Sequence, residues 1–332
     1  MNDIVATHPT APLLGGGPVD GLDDYLARGG GRAIELARSM GPDAVLAELR
    51  RSGLRGRGGA GFPTATKWQA IRAHPCPTRY VIGNAAEGEP GTFKDRLLLR
   101  HNPYQVLEGL AVAALTVGAA DAVVALKRSF QRELRGLRRA LAELRAGSML
   151  DGVRLKLVAG PDEYLFGEEK ALLEVVEGND PLPRIFPPYQ VGLYAQRGSP
   201  NPTLVNNAET LANVPLILRE GADRFRERGP AGCPGTMLFT VSGDVRRPGV
   251  YELAMGTPLR ALLEEAGGGA GAEGPLKAVF AGVSARPITP DRFDTPLDFE
   301  SMRAIGSGLG SGGFVAYGSS TCIVKATLEL AR

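Results

Sequence analysis

Between Ser52 and Pro63 the chain reads Ser-Gly-Leu-Arg-Gly-Arg-Gly-Gly-Ala-Gly-Phe-Pro, with five glycines in the nine residues from Gly53 to Gly61. A backbone of this kind either takes φ > 0 repeatedly or lies closely against something else. Two arginines inside the run, Arg55 and Arg57, suggest that this something is anionic. Gly56, Gly58 and Gly61 satisfy the G-x-G-x-x-G spacing of dinucleotide-binding turns. That spacing normally follows a strand, whereas upstream Val45, Leu46, Leu49 and Leu54 repeat at helical intervals. Downstream, Pro63 opens a helix over residues 64–72. The stretch therefore reads as a phosphate cradle between two helices. Arg, Phe and Pro within it count against a flexible linker.

The rest of the chain supplies a scaffold for such a cradle. Residues 79–83, 122–126 and 153–158 read as short strands, with helices over 103–115 and 130–146 between them. Strand–helix alternation of this kind argues an α/β fold, a mainly parallel sheet with helices on both faces. The first strand runs into Asn84-Ala85-Ala86-Glu87-Gly88-Glu89-Pro90-Gly91-Thr92, a loop at a strand's carboxyl end, where such sheets place ligands. Glu168 and Glu169 open a helix through Glu177, where the helix dipole favours carboxylates. Four prolines make 181–188 an extended loop, and Asn207 is placed as the N-cap of a helix through Leu218. Trp68 reads as core and Cys322 as a small buried hydrophobe.

Composition shifts after a linker at 229–235. Strands over 238–243, 249–253 and 277–282, with a helix from Pro258 to Ala266, follow β-grasp order. The glycines of 306–313 read as closure of this module rather than as a second phosphate loop. Four segments result: a loose arm over 1–21, an α/β unit over 22–228, the β-grasp unit over 236–317, and the start of a helix over 320–332.

At 332 residues and a net charge of +2, the chain shows no signal for nucleic-acid binding. No apolar run reaches the length of about 18 residues that suggests a membrane span. There is no N-terminal signal pattern either, so the expectation is a cytoplasmic protein without membrane insertion. Cys76, Cys233 and Cys322 form no C-x-x-C, and no metal site is read from them.

The motifs together resemble the NADH-binding FMN subunit of respiratory complex I and its relatives in NAD-dependent formate dehydrogenases and bidirectional hydrogenases. The resemblance rests on Ser52–Phe62 with Lys67-Trp68, on Asn84 and the run from Glu87 to Arg96, on Tyr164 with Gly167-Glu168-Glu169, and on Val205–Ala212. It implies a Rossmann-like sheet followed by a ubiquitin-like, soluble-ligand-binding β-grasp (SLBB) domain. By the same resemblance Gly56, Arg57, Gly58, Gly59 and Lys67 hold FMN phosphate and the flavin edge. Asn84, Asn206, Asn207 and Thr210 bond the flavin and ribityl, and Tyr164, Gly167, Glu168 and Glu169 line the other side. Phe62 stacks on the NADH adenine, with Glu89 and Tyr189 also on the dinucleotide. Glu87 and Glu169 are the carboxylates nearest the chemistry, a direct hydride transfer from NADH to flavin. Electrons then leave for an iron–sulfur partner of the thioredoxin-like 2Fe–2S type, in a multi-subunit oxidoreductase at the inner face of the membrane.

Three positions depart from the family pattern. Ala86 replaces a carboxylate beside the flavin, Ala70 replaces a second adenine-stacking phenylalanine, and Phe186 replaces a lysine. The sequence ends before the family's cysteine-bearing helical domain, so no iron–sulfur cluster is expected on this chain. A non-catalytic or NADH-independent FMN-binding assembly protein is the alternative these departures leave open.

Overall fold

The apolar segments between residues 80 and 207 form one parallel sheet: β1 (Tyr80–Ala85), β2 (Asp121–Lys127), β3 (Arg154–Gly160) and β4 (Thr203–Asn207), in spatial order β3–β2–β1–β4. The computed structural model describes residues 11–196, 198–283 and 285–330. Successive side chains of a strand face opposite ways, and β2 shows it. Ala122, Val124 and Leu126 join the larger core, whereas Val123 and Ala125 join a smaller one on the other face. The larger core holds the helices Pro103–Val117 and Ala208–Glu220, which cross closely at Gly109. A Cβ there would sit 2.0 Å from the Leu211 carbonyl oxygen. The smaller core is closed by Phe166 and by Leu172 and Leu173 of the helix Glu169–Val176. Both faces are covered, as a parallel sheet requires.

A second sheet is built from β5 (Thr236–Gly243), β6 (Gly249–Ala254), β7 (Leu276–Ala281) and β8 (Gly313–Gly318), in order β6–β5–β8–β7. Its central pair β5–β8 is parallel and its outer pairs antiparallel, the β-grasp arrangement expected from element order. The segment after Pro258 is a wide π-type turn, Ala261–Ala266, where an ordinary helix was expected. Leu238 and Val250 pack into the core of the first sheet, so the two sheets share a buried boundary.

Two further expectations are corrected. The arm over 1–21 is not loose where it is described: Leu13, Leu14 and Val19 are buried. The amides of Leu13 and Leu14 donate to Glu252 Oε2 at 2.9 and 3.0 Å, and Val19 donates to the His101 carbonyl. Composition alone could not show this partner 239 residues away. Residues 1–10 of the arm lie outside the described residues. Cys322 is exposed rather than buried, because it precedes the helix Ile323–Leu330, of which only Ala326 is buried. Among the described residues no helix is long and apolar enough to cross a membrane.

Candidate functional site

The strand order reverses around β1: the chain passes from β1 to β2 on one side and returns to β4 on the other. Ligands of open α/β sheets bind in the crevice this reversal leaves at the strands' carboxyl ends. Asn84 and Asn207, near the ends of β1 and β4, are register partners there. Asn207 caps the helix Ala208–Glu220 by accepting from the amides of Glu209 and Thr210, as expected. Its Nδ2 donates to Asp95 Oδ2 at 2.6 Å. Asn84 Nδ2 donates to the Gly167 carbonyl at 2.8 Å, binding the strand end to the turn before Glu168.

A cleft of about 460 Å³ opens above this edge. Gly58 and Gly59 line it from the glycine run, Glu87 and Glu89 from the loop after β1, and Tyr164, Gly167 and Glu168 from the segment after β3. The glycine run is anchored beneath by Thr210, whose Oγ1 accepts from the Arg57 amide at 2.8 Å. Close approach explains two glycines: a Cβ at Gly58 would meet Asn207 Cβ at 3.0 Å, and one at Gly167 would meet the Ala86 carbonyl oxygen at 2.9 Å.

The charged residues of the lining are acidic: Glu87, Glu89, Asp95 and Glu168. Glu87 accepts from the amide of Asp95 at 3.0 Å and from Arg96 Nε at 3.1 Å. Burial pushes its carboxyl above the ordinary range, with Asp95 adding to the effect and Lys94 opposing it. Glu89 receives the Tyr164 hydroxyl at 2.7 Å and the Val283 amide at 2.8 Å, joining the two modules across the cleft. That bond to Glu89, helped by burial, pushes the Tyr164 phenol up to about 12. Glu168 was expected inside the first turn of the helix; it is instead the N-cap before Glu169, its carboxylate accepting from the amides of Lys170 and Ala171.

Not every expected residue reaches the cleft. The Arg57 side chain is fully buried and turned toward the second module, where it donates to the Pro234 carbonyl at 2.9 Å. Its amide is taken by Thr210, so Arg57 shapes the loop rather than contacting a ligand. Asn206 accepts from Trp68 Nε1 at 2.7 Å, which confirms Trp68 as core. Lys67 is ion-paired with Glu169, next in sequence to the cleft residue Glu168. Gly56 closes the base of the loop by donating to the Phe62 carbonyl, and the Phe62 ring is 53% exposed. Tyr189 is exposed in the proline-rich loop, which Arg184 ties to Glu174 and Glu177.

The motifs of the sequence did not reveal what the second module brings. Gly282, Ala285, Gly308, Gly310 and Ser311 line the cleft, as does Asp95 from the first. The glycine spacing of 306–313 was the signal that could have shown it.

The lining fits a phosphorylated flavin. The amides of Gly58 and Gly59 donate to no acceptor among the described residues, and Ser311 Oγ is buried without a partner. The volume lies in the usual range for ligand sites. A parallel sheet with a glycine-floored cleft at its order reversal, closed by a second small sheet, defines a nucleotide-binding α/β protein. Residues 49–216 match the Nuo51 FMN-binding domain and residues 238–280 the SLBB domain. The chain is 42% identical over 316 residues to an NADH-quinone oxidoreductase subunit of Rhizobium meliloti (strain 1021), covering 92% of this chain and 74% of that one. It is 38% identical over 325 residues to an NADH-quinone oxidoreductase subunit of Aquifex aeolicus (strain VF5), covering 95% and 74%. A solved NAD+-reducing nickel–iron hydrogenase superposes with a TM-score of 0.83 at 36% identity, over 99% of this chain. The chain spans 54% of that hydrogenase chain's length. This protein belongs to the Nuo51 family of FMN-binding NADH-quinone oxidoreductase subunits.

Proposed function

We propose that the chain holds FMN in the cleft, accepts hydride from NADH there and passes the electrons to an iron–sulfur subunit of a multi-subunit oxidoreductase. The observation that carries this reading is the meeting of the glycine run, Asn84 and Asn207 at the strand-order reversal. FMN supplies the ability to take two electrons as hydride and release them singly. The chain's own residues bind and orient. The free amides of Gly58 and Gly59 suit a phosphate, with Gly56, Thr210 and the Arg57 main chain fixing the loop. Asn84 and Asn207 set the strand ends against the ring system, with Asn206 fixing Trp68 behind them. Tyr164, Gly167 and Glu168 form the facing wall, with Glu169 and Lys67 paired beside it. Glu87 and Glu89 face the nicotinamide and ribose. Phe62 offers an exposed ring to the adenine, and Tyr189 a second contact. A direct hydride transfer between the two bound rings would need no general base, so the task of these residues would be proximity and orientation. The partner is of the thioredoxin-like 2Fe–2S type, and the complex lies on the cytoplasmic face of a membrane.

An anaerobic NADH titration of the FMN-loaded protein tests this. Stoichiometric loss of the flavin's visible absorbance is expected. Flavin that stays oxidised at saturating NADH, while dithionite still reduces it, would leave the chain an FMN-binding assembly protein.

A further inference from the structure

The turn Gly308–Ser311, which its place in the sequence assigned to closure of the β-grasp module, packs against the glycine run where both line the cleft. A Cβ built on Gly59 would lie 3.8 Å from the Gly310 carbonyl carbon and 3.9 Å from the Ser311 amide nitrogen. Gly310 takes a left-handed φ of 54°. The amides of Gly308, Leu309, Gly310 and Ser311 donate to no acceptor among the described residues. Ser311 Oγ is buried and unpartnered in the cleft wall, a costly state unless a ligand satisfies it. Among the described residues no lysine or arginine lines this cleft, while Glu87, Glu89, Asp95 and Glu168 do. The donors that the lining itself offers a phosphate are therefore amides and hydroxyls, and among the described residues this turn supplies free amides beside Gly58 and Gly59.

We propose that Gly308–Ser311 is a second phosphate-binding loop, and that with the adjoining Gly58 and Gly59 it forms one clamp contributed by both modules. The ligand chemistry is a phosphate ester, either the FMN monophosphate or the dinucleotide pyrophosphate. The clamp rests on the flavin reading above, but it predicts binding rather than turnover. It also gives the second module a role in the site: the module extends the row of free amides that begins in the glycine run.

Gly308 has an ordinary φ, and a Cβ there meets only the Gly310 amide nitrogen at 3.9 Å. Gly308→Asp thus fits and sets a carboxylate over the free amides, as in an Asx turn. Gly308→Asn does the same without charge, and Ser311→Ala removes the hydroxyl alone. The readouts are dissociation constants of the full chain for FMN, riboflavin and ADP-ribose, measured by fluorescence or calorimetry without NADH. FMN weakened about tenfold or more by Gly308→Asp, with riboflavin unchanged and smaller losses in the other two variants, assigns the flavin phosphate. ADP-ribose weakened in that pattern with FMN unchanged assigns the pyrophosphate. Equal affinities in parent and variants for both phosphate ligands overturn the clamp, and so does riboflavin weakening in step with FMN. If the variants discriminate but NADH never reduces the flavin, the clamp stands and the hydride reading falls.

Discussion

Lys94 Nζ lies 2.6 Å from Glu209 Oε2, and neither side chain exposes any surface. Lys94 also donates to Asp95 Oδ1 at 2.9 Å, while Glu209 Oε1 receives the Leu238 amide of β5 at 2.8 Å. One ion pair therefore joins the cleft floor, the helix after β4 and the second sheet. Burial alone would lower the lysine's pKa, but Asp95 and Glu209 outweigh it and hold it above the ordinary value. A paired charge without water is destabilising mainly when one partner is removed.

Lys94→Met leaves Glu209 and Asp95 buried without their cation. The expected cost is about 3–5 kcal/mol, enough to lower Tm by about 10 °C in a chain this large. Adding Glu209→Gln should recover part of the loss in a thermal melt. A single variant as stable as the parent would show that the ion pair does not hold the modules together.

Glu252 gives a pH dependence. Burial raises its pKa to about 7, against the opposing bonds from Thr236 Oγ1 and the Leu14 and Leu13 amides; Glu209 adds to the rise. The folded chain then binds more protons than the unfolded one between about pH 4.5 and 7. Stability from this group is therefore full below that window and falls as pH rises through it, by an amount on the order of 3 kcal/mol. Glu252→Gln should flatten the fall in Tm between acid and neutral pH. An unchanged slope in that variant would falsify the assignment.

Thr210→Val removes the acceptor of the Arg57 amide and leaves a buried N–H unpaired. That costs about 1–3 kcal/mol. Because the loss falls on the glycine run, FMN should dissociate about tenfold more readily while β4 and its helix stay intact. Thr210→Ser keeps the hydroxyl and should restore binding. Equal FMN affinity in Val and Ser variants rejects Thr210 as the loop's anchor.

Ala70 is exposed on the helix Thr64–Ala73, two turns from the exposed ring of Phe62. Restoring a second ring with Ala70→Phe should lower KM for NADH by about one order of magnitude, since a stacked ring adds about 1–3 kcal/mol. The change acts on binding, so kcat should stay nearly constant. A kcat effect without a KM effect places residue 70 away from the adenine.

Much of the site is legible in the sequence because its motifs are local. β1 is visible as a short apolar run, although it continues two residues further than its run suggests, to Ala85. Asn207 is visible as a cap because an asparagine before a helical repeat satisfies amides only one turn away. The glycine run announces a close approach, and Gly58 and Gly59 do line the cleft.

What lies outside its reach depends on pairs far apart along the chain. The Arg57 guanidinium looks like a phosphate ligand in sequence, yet it is drawn to the Pro234 carbonyl, 177 residues on. Its main chain stays at the loop while its charge is placed in the boundary between modules. Gly308–Ser311 looks like a local turn because nothing near it in sequence says that it faces Gly59. Residues 11–14 look loose until Glu252 supplies an acceptor for the amides of Leu13 and Leu14. Periodicity and caps act over one or two turns and can be read along a chain. Which loops face each other is decided by burying apolar surface between two sheets and by pairing the polar groups trapped there, and only the folded chain contains those partners.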